Sequence, residues 1–184
     1  MKVVTVTAPT IPAVSISEAR EQCALLDNTA HDALLYRLIA SATAEIEGST
    51  GARLMPQTLR VELDGFPCGD LDLGVYPVAS ITSVAYDDDS NDEQTLAVNT
   101  DYWGDLSGMY PKLVPVVSWP ATYISKPGSV RITLVAGYDY TDSVPSDIRN
   151  AILVKVQESF MPGDLDNVDA FIDRATAPHK RLTV

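Results

Sequence analysis

No lysine or arginine occurs in the 51 residues from Val61 to Pro111. The same stretch holds eleven acids: Glu62, Asp64, Asp70, Asp72, Asp87, Asp88, Asp89, Asp92, Glu93, Asp101 and Asp105. The whole chain carries 25 Asp and Glu against 13 Lys and Arg, so outside the stretch 14 acids meet 13 bases. A segment of this charge adds like charge to phosphates, which excludes it as a binder of nucleic acid or anionic membrane. It suits a surface that DNA passes without sticking. Cysteine is also scarce. Cys23 and Cys68 have neither a C-x-x-C spacing nor enough company for a disulfide framework, and they read as free thiols in a reducing compartment. No apolar run approaches the ~18 residues that span a bilayer. Met1–Pro9 is broken by threonines and by Pro9, a poor signal peptide. These absences predict a soluble protein made in a cytoplasm, with no membrane partner.

Groups for catalysis are equally thin. The two histidines, His31 and His179, fall in a predicted helix first turn and in the C-terminal tail, without a partner that local spacing would supply. In Gly104-Asp105-Leu106-Ser107-Gly108 the serine is displaced from the position a nucleophile elbow requires. There is no phosphate-binding glycine loop and no H-E-x-x-H helix. The expectation is a non-enzyme, with no catalytic residue, metal or cofactor. Asp87, Asp89 and Asn91 match the first three ligand positions of a calcium loop, but Asp92 stands where glycine is needed and Val98 where a bidentate glutamate belongs. A solvated hairpin tip is therefore expected, and a weak cation site is the alternative. Tyr102, Trp103, Tyr110 and Trp119 are interleaved with acids, so they read as packing residues of a strand region, not as a base-stacking surface.

What is present is the grammar of a small α+β protein. Ser15-Ile16-Ser17-Glu18 fits a capping box, opening a short helix that runs to about Leu26. Thr29 is placed to cap a second helix with Asp32 in its first turn, and Leu34, Leu35, Leu38, Ile39, Ala42 and Ile46 form one apolar face that Gly51 ends. The period then becomes two. Leu59, Val61 and Leu63 alternate with charged residues, and Leu71 and Leu73 repeat the pattern. Residues 81–86 and 93–98 read as the arms of a hairpin around the Asp87–Asp92 tip, and 130–135 is the clearest strand. Helix returns after Pro145, with Ile148, Ile152, Val156 and Phe160 in one stripe. Asp164 to Arg174 reads as one more short helix before a basic tail. The fold class is α+β, with helical N- and C-terminal segments flanking an antiparallel β insertion. In numbers, 14–52 is helical, 56–136 is the β-rich acidic insertion, 145–175 is helical and 176–184 is the tail.

Two ordered sets of residues carry a resemblance. The first is Ile16-Ser17-Glu18-Ala19, Asp32-Ala33-Leu34-Leu35 with Leu38-Ile39, Glu45-Ile46-Glu47-Gly48-Ser49-Thr50-Gly51 and Gln57-Thr58-Leu59-Arg60-Val61. The second is Trp119-Pro120, Val130 to Tyr138, and Val144-Pro145-Ser146-Asp147-Ile148-Arg149-Asn150-Ala151-Ile152. In this order and spacing the chain resembles the head–tail connector (adaptor) proteins of tailed bacteriophages; the acidic middle matches only loosely. The resemblance implies a single connector domain over residues 1–184. It also implies a ring, usually twelvefold, in the virion neck below the portal protein and above a stopper or tail protein. Double-stranded DNA would pass through it without specific binding, and the ring would be assembled in the host bacterial cytoplasm. A stopper or tail-completion protein is the alternative within the same class; a small calcium-binding module is the alternative outside it. By the same resemblance Pro178, His179, Lys180 and Arg181 are candidate portal-contacting residues, although the family often has an aromatic where His179 stands; a disordered terminus is the other reading. Asp87, Asp88, Asp89, Asp92 and Glu93 are the candidate DNA-repelling surface, or else a solubilising outer face.

Overall fold

The protein is described by a computed structural model covering residues 1–26, 28–123, 125–163 and 166–181. The chain divides into two compact units. One comprises Met1–Pro9 and Pro56–Gly137, the other Thr10–Met55 and Tyr138–Val184.

The first unit is β-rich. Strand β1 (Lys2–Thr7), β2 (Gln57–Leu63), β8 (Val130–Ala136), β4 (Val78–Asp87) and β5 (Glu93–Leu96) form one sheet in the order β1-β2-β8-β4-β5, every neighbour antiparallel. Strands β3 (Leu71–Asp72), β7 (Lys112–Pro115) and β6 (Tyr102–Asp105) form a second antiparallel sheet, β3-β7-β6. The alternation of β2 and β8 is what a one-faced core demands. Leu59 and Val61 are fully buried and lie opposite Leu134 and Ile132. Leu71, Leu73, Val84, Tyr102 and Leu113 complete the same core. Strand β1, made of Lys-Val-Val-Thr-Val-Thr, was not anticipated from the sequence; its pairing with β2 adds an edge to the sheet.

The second unit is helical: α1 (Ile16–Gln22), α2 (Asp32–Thr50), α3 (Ser146–Phe160) and α4 (Val168–Thr176). The capping box forms as expected, with the Ser15 hydroxyl accepting from the Glu18 amide and the Glu18 carboxylate accepting from the Ser15 amide. Helix α1 stops earlier than Leu26. Cys23 caps it, and Ala24 and Leu26 take positive φ, which the helix cannot continue through. Asp27, expected to help break the helix, lies outside the described residues. Thr29 does not supply the expected side-chain cap of α2. The N-cap position is His31, without a side-chain bond, and Thr29 offers its carbonyl to the Asp32 amide instead. Gly51 ends α2 in the left-handed region (φ +76°), as its position implied. Leu35, Ile39, Ala42 and Ile46 are buried, as are Ile148, Ala151, Ile152 and Val156 of α3, and the two helices pack together. Pro145 stands one position before α3, whose stripe is buried except that Phe160 is half-buried. Helix α4 begins four residues later than expected; Asp164 and Leu165 lie outside the described residues.

Replacing Leu134, fully buried at the middle of β8, by alanine should cost about 2–5 kcal/mol in chemical unfolding. Val117→Ala, at a side chain 91% exposed, should change stability by less than about 0.5 kcal/mol.

Candidate functional site

The acidic hairpin is built by β4, β5 and the β8 strand beside them. Asp87 closes β4, and its carboxylate does not join the surface set that the sequence suggested. It is 2% exposed and receives both guanidinium nitrogens of Arg131 at 2.8 Å, with Lys126 at 2.8 Å. The fork of Arg131 matches the two carboxylate oxygens, which makes this the most specific ion pair of the unit. These hydrogen bonds, from Arg131 first and then Lys126, hold Asp87 well below the usual carboxylate range and push Arg131 up. Arg131 also reaches Glu93 at 2.7 Å. The loop that carries Lys126 is tied in place, since the Ser129 hydroxyl donates to the Tyr123 carbonyl and the Asp87 backbone bonds to both Ser129 and Tyr123.

Asp88 is half-buried and shapes the tip. Its Oδ1 accepts from the amides of Ser90 (2.9 Å) and Asp92 (3.1 Å), and its Oδ2 accepts from Gln94 (2.9 Å). The Asp92 amide first, and then Gln94, bring the Asp88 carboxyl below its ordinary value. Asn91 turns the chain at φ +62°. Asp89, Asp92 and Glu93 are exposed, so the tip presents these carboxylates, with Asp88 as its frame. Filling the first ligand position of a calcium loop here would require displacing Arg131 and Lys126 from Asp87. That geometry weighs against the cation-site alternative.

The C-terminal candidates are already engaged within the helical unit. His179 Nε2 lies 2.8 Å from Asp147 Oδ2 in the first turn of α3. Burial raises the Asp147 carboxyl, but the hydrogen bonds from His179 and the Ile148 amide bring it below its ordinary value. Lys180 reaches Asp173 at 2.9 Å. The Arg181 amide donates to the Thr50 carbonyl at 2.9 Å, satisfying one of the carbonyls that the end of α2 leaves open. Ala177–His179 forms a single 3-10 turn, with Pro178 exposed. The tail is therefore folded through Arg181; residues 182–184 lie outside the described ones.

The aromatic residues divide. Tyr102 is buried, and Trp119 stacks on Phe66 (4.7 Å, 4°) while its indole N–H donates to the Gly69 carbonyl at 2.7 Å. Trp103 and Tyr110 are about half exposed, which the packing expectation missed. His31 is exposed and meets Phe160 edge-on at 5.5 Å. Of the two thiols, Cys23 is buried and Cys68 exposed, and both are free.

The buried position of Asp87 had a signal in the sequence, but not a local one. Arg131 interrupts the apolar run of β8 on the face away from the core, and only the β4–β8 register, which pairs Ala85 with Arg131, brings it beside Asp87.

No family model and no curated protein matches the chain. Solved structures do. One chain in the virion of a native gene transfer agent particle superposes with a TM-score of 0.79 at 23% identity, covering 100% of this chain and 97% of that one. A chain in the neck of an empty particle of this kind, computed with C6 symmetry, gives 0.77 at 24% identity. A chain in the neck of a native particle, computed with C12 symmetry, gives 0.74 at 23% identity, and the coverage is the same for both. The fold is thus that of these chains from end to end.

Because folding depresses Asp87, its stabilisation is complete above 3.8, the ordinary aspartate value, and is lost as pH falls through the lower folded-state value. Asp87→Asn should lower the urea midpoint clearly at pH 7. The gap to the unsubstituted protein should narrow as pH falls below 3.8, where the unfolded chain takes up the proton first, and close only at the lower pH where the folded carboxylate is itself protonated.

Proposed function

We propose that this protein is a structural connector of a virion neck, which assembles as a ring and joins a DNA-filled head to a tail. The observation that carries this reading is the full-length fold likeness to chains of gene transfer agent virions and necks, extending over 97% of their length. A ring is supported by the C6 and C12 symmetries in which those necks were computed, and twelve is the number the bacteriophage resemblance implies. The role asks for no chemistry, and it fits a chain in which Asp87, Asp88 and Asp147 are held by ion pairs and hydrogen bonds within the fold.

Within this reading the portal protein sits on one side and a stopper or tail protein on the other, and double-stranded DNA passes through the middle. Asp88, Asp89, Asp92 and Glu93 then line or rim the passage, where fixed negative charge weakens adhesion of phosphates. Asp87 is not part of that surface, being neutralised by Arg131. Pro178, exposed on its 3-10 turn, is the described part of the tail best placed to meet a portal.

A gold-labelled tag on this protein, imaged in purified particles by negative-stain electron microscopy, should mark the head–tail junction once per particle. Label on the capsid shell or along the tail tube would contradict the reading. In the assembled ring, Asp89→Lys with Asp92→Lys should slow DNA release and make it salt-dependent if the tip faces the passage. Unchanged release at every salt concentration would place the tip on the outer face.

A further inference from the structure

Strand β1 is an unprotected sheet edge. Its six residues contain no proline and one charge, Lys2, and Thr5, Val6 and Thr7 are exposed. Val6 alone is 54% exposed. Edges of this kind, rich in valine and threonine, pair readily with another strand, and soluble proteins ordinarily blunt or cover them. Among the described residues nothing pairs with the outer side of β1.

A second opening lies across the same sheet. Strand β4 is ten residues long, but β5 pairs only with its last four, Val84–Asp87. After Leu96 the chain leaves the sheet for the Ala97–Asp101 turn, so the half of β4 from Val78 to Ser83 has β8 on one side and no described strand on the other. Ala79, Ser80 and Thr82 are exposed there. A groove runs along this free edge, with Leu96, Val98, Tyr102 and Leu106 on its far wall.

We propose that β1 of one copy pairs with the free half of β4 in the next copy, making the two sheets continuous from subunit to subunit. Three features support this occupant. The lengths agree, six residues against six. The directions agree too: along β1-β2-β8-β4 each neighbour is antiparallel, so β1 runs opposite to β4. A rotation about an axis along the strands leaves β1 pointing the same way, so a head-to-tail neighbour presents it antiparallel to β4, the better-bonded arrangement. It would enter where β5 leaves and continue in the direction of β5. Finally, the charges agree. The leading end brings Lys2, whose present partner Glu62 is 3.8 Å away, to the turn that carries Asp101 in a stretch without a cation. Main-chain bonds would supply the affinity and the apolar groove the register, as in other strand additions.

The inference rests on the ring of the proposed function and adds what joins its members. Hydrogen–deuterium exchange on the full chain, dilute and assembled, tests it without assuming a register. Amides in 2–7 and in 79–83 should both slow by about tenfold or more on assembly. Assembly that protects other surfaces and leaves both segments unchanged overturns the pairing while the ring stands, and so does protection of only one segment. A chain that remains monomeric up to its solubility limit overturns both. In a Cys68→Ser background, Thr5→Cys combined with Ser80→Cys or Thr82→Cys should give a ladder of disulfide-linked multimers on oxidation. A dimer from Thr5→Cys alone as the main product would indicate a two-fold β1–β1 contact and contradict the proposal.

Discussion

A chain segment with eleven acids and no cation cannot complete its own ion pairs, and the β-rich unit is organised by that constraint. Its five cations all come from outside the segment: Lys2, Arg60, Lys112, Lys126 and Arg131. Each is engaged, Lys2 and Arg60 with Glu62, Lys112 with Asp70, and Lys126 and Arg131 with Asp87. Arg131 is the strongest of these links because its guanidinium meets a buried carboxylate with both nitrogens. Several acids also accept from backbone amides: Asp64 from Gly128, Asp72 from Gly74, Asp88 from Ser90 and Asp92, and Asp101 from Ala97. Most of these bonds pin a turn.

The constraint also changes where the charge lies. Along the sequence nearly all of the net −12 falls between Val61 and Pro111. Counted by folded unit, eleven acids meet five bases in the β-rich unit and fourteen meet eight in the helical one, so each carries −6. The acidity is local along the chain and shared between the units. Net negative charge in both parts disfavours association with nucleic acid through either of them. In the proposed reading, the repulsion of DNA then need not rest on the hairpin alone.

Much of the fold was legible because its determinants are local. The capping box at Ser15, the stripe of α2, the left-handed stop at Gly51 and the alternation of β2 and β8 each follow from neighbours a few residues apart. What escaped was set at long range. Six residues at the start of the chain carry a β-prone pattern, but what makes them a strand is the edge of β2, more than fifty residues away. Asp87 sits in a run of aspartates that reads as solvated, and its burial depends on Arg131, 44 residues later. The tail looked like loose basic sequence because the groups that hold it, Asp147, Asp173 and the last carbonyl of α2, belong to other helices. The helix after Gly163 was recognised but begins late, at Val168, with Asn167 in the left-handed region before it.

In the proposed reading the protein works by joining copies of itself into a passage, and the open sheet edges are where the copies would meet. A cryo-electron microscopy reconstruction of the assembled protein at side-chain resolution tests that most directly. The account predicts a closed ring of head-to-tail copies in which β1 of each lies antiparallel along residues 78–83 of its neighbour. An assembly with two-fold contacts, or a closed ring in which β1 and the free half of β4 both face solvent, would contradict it.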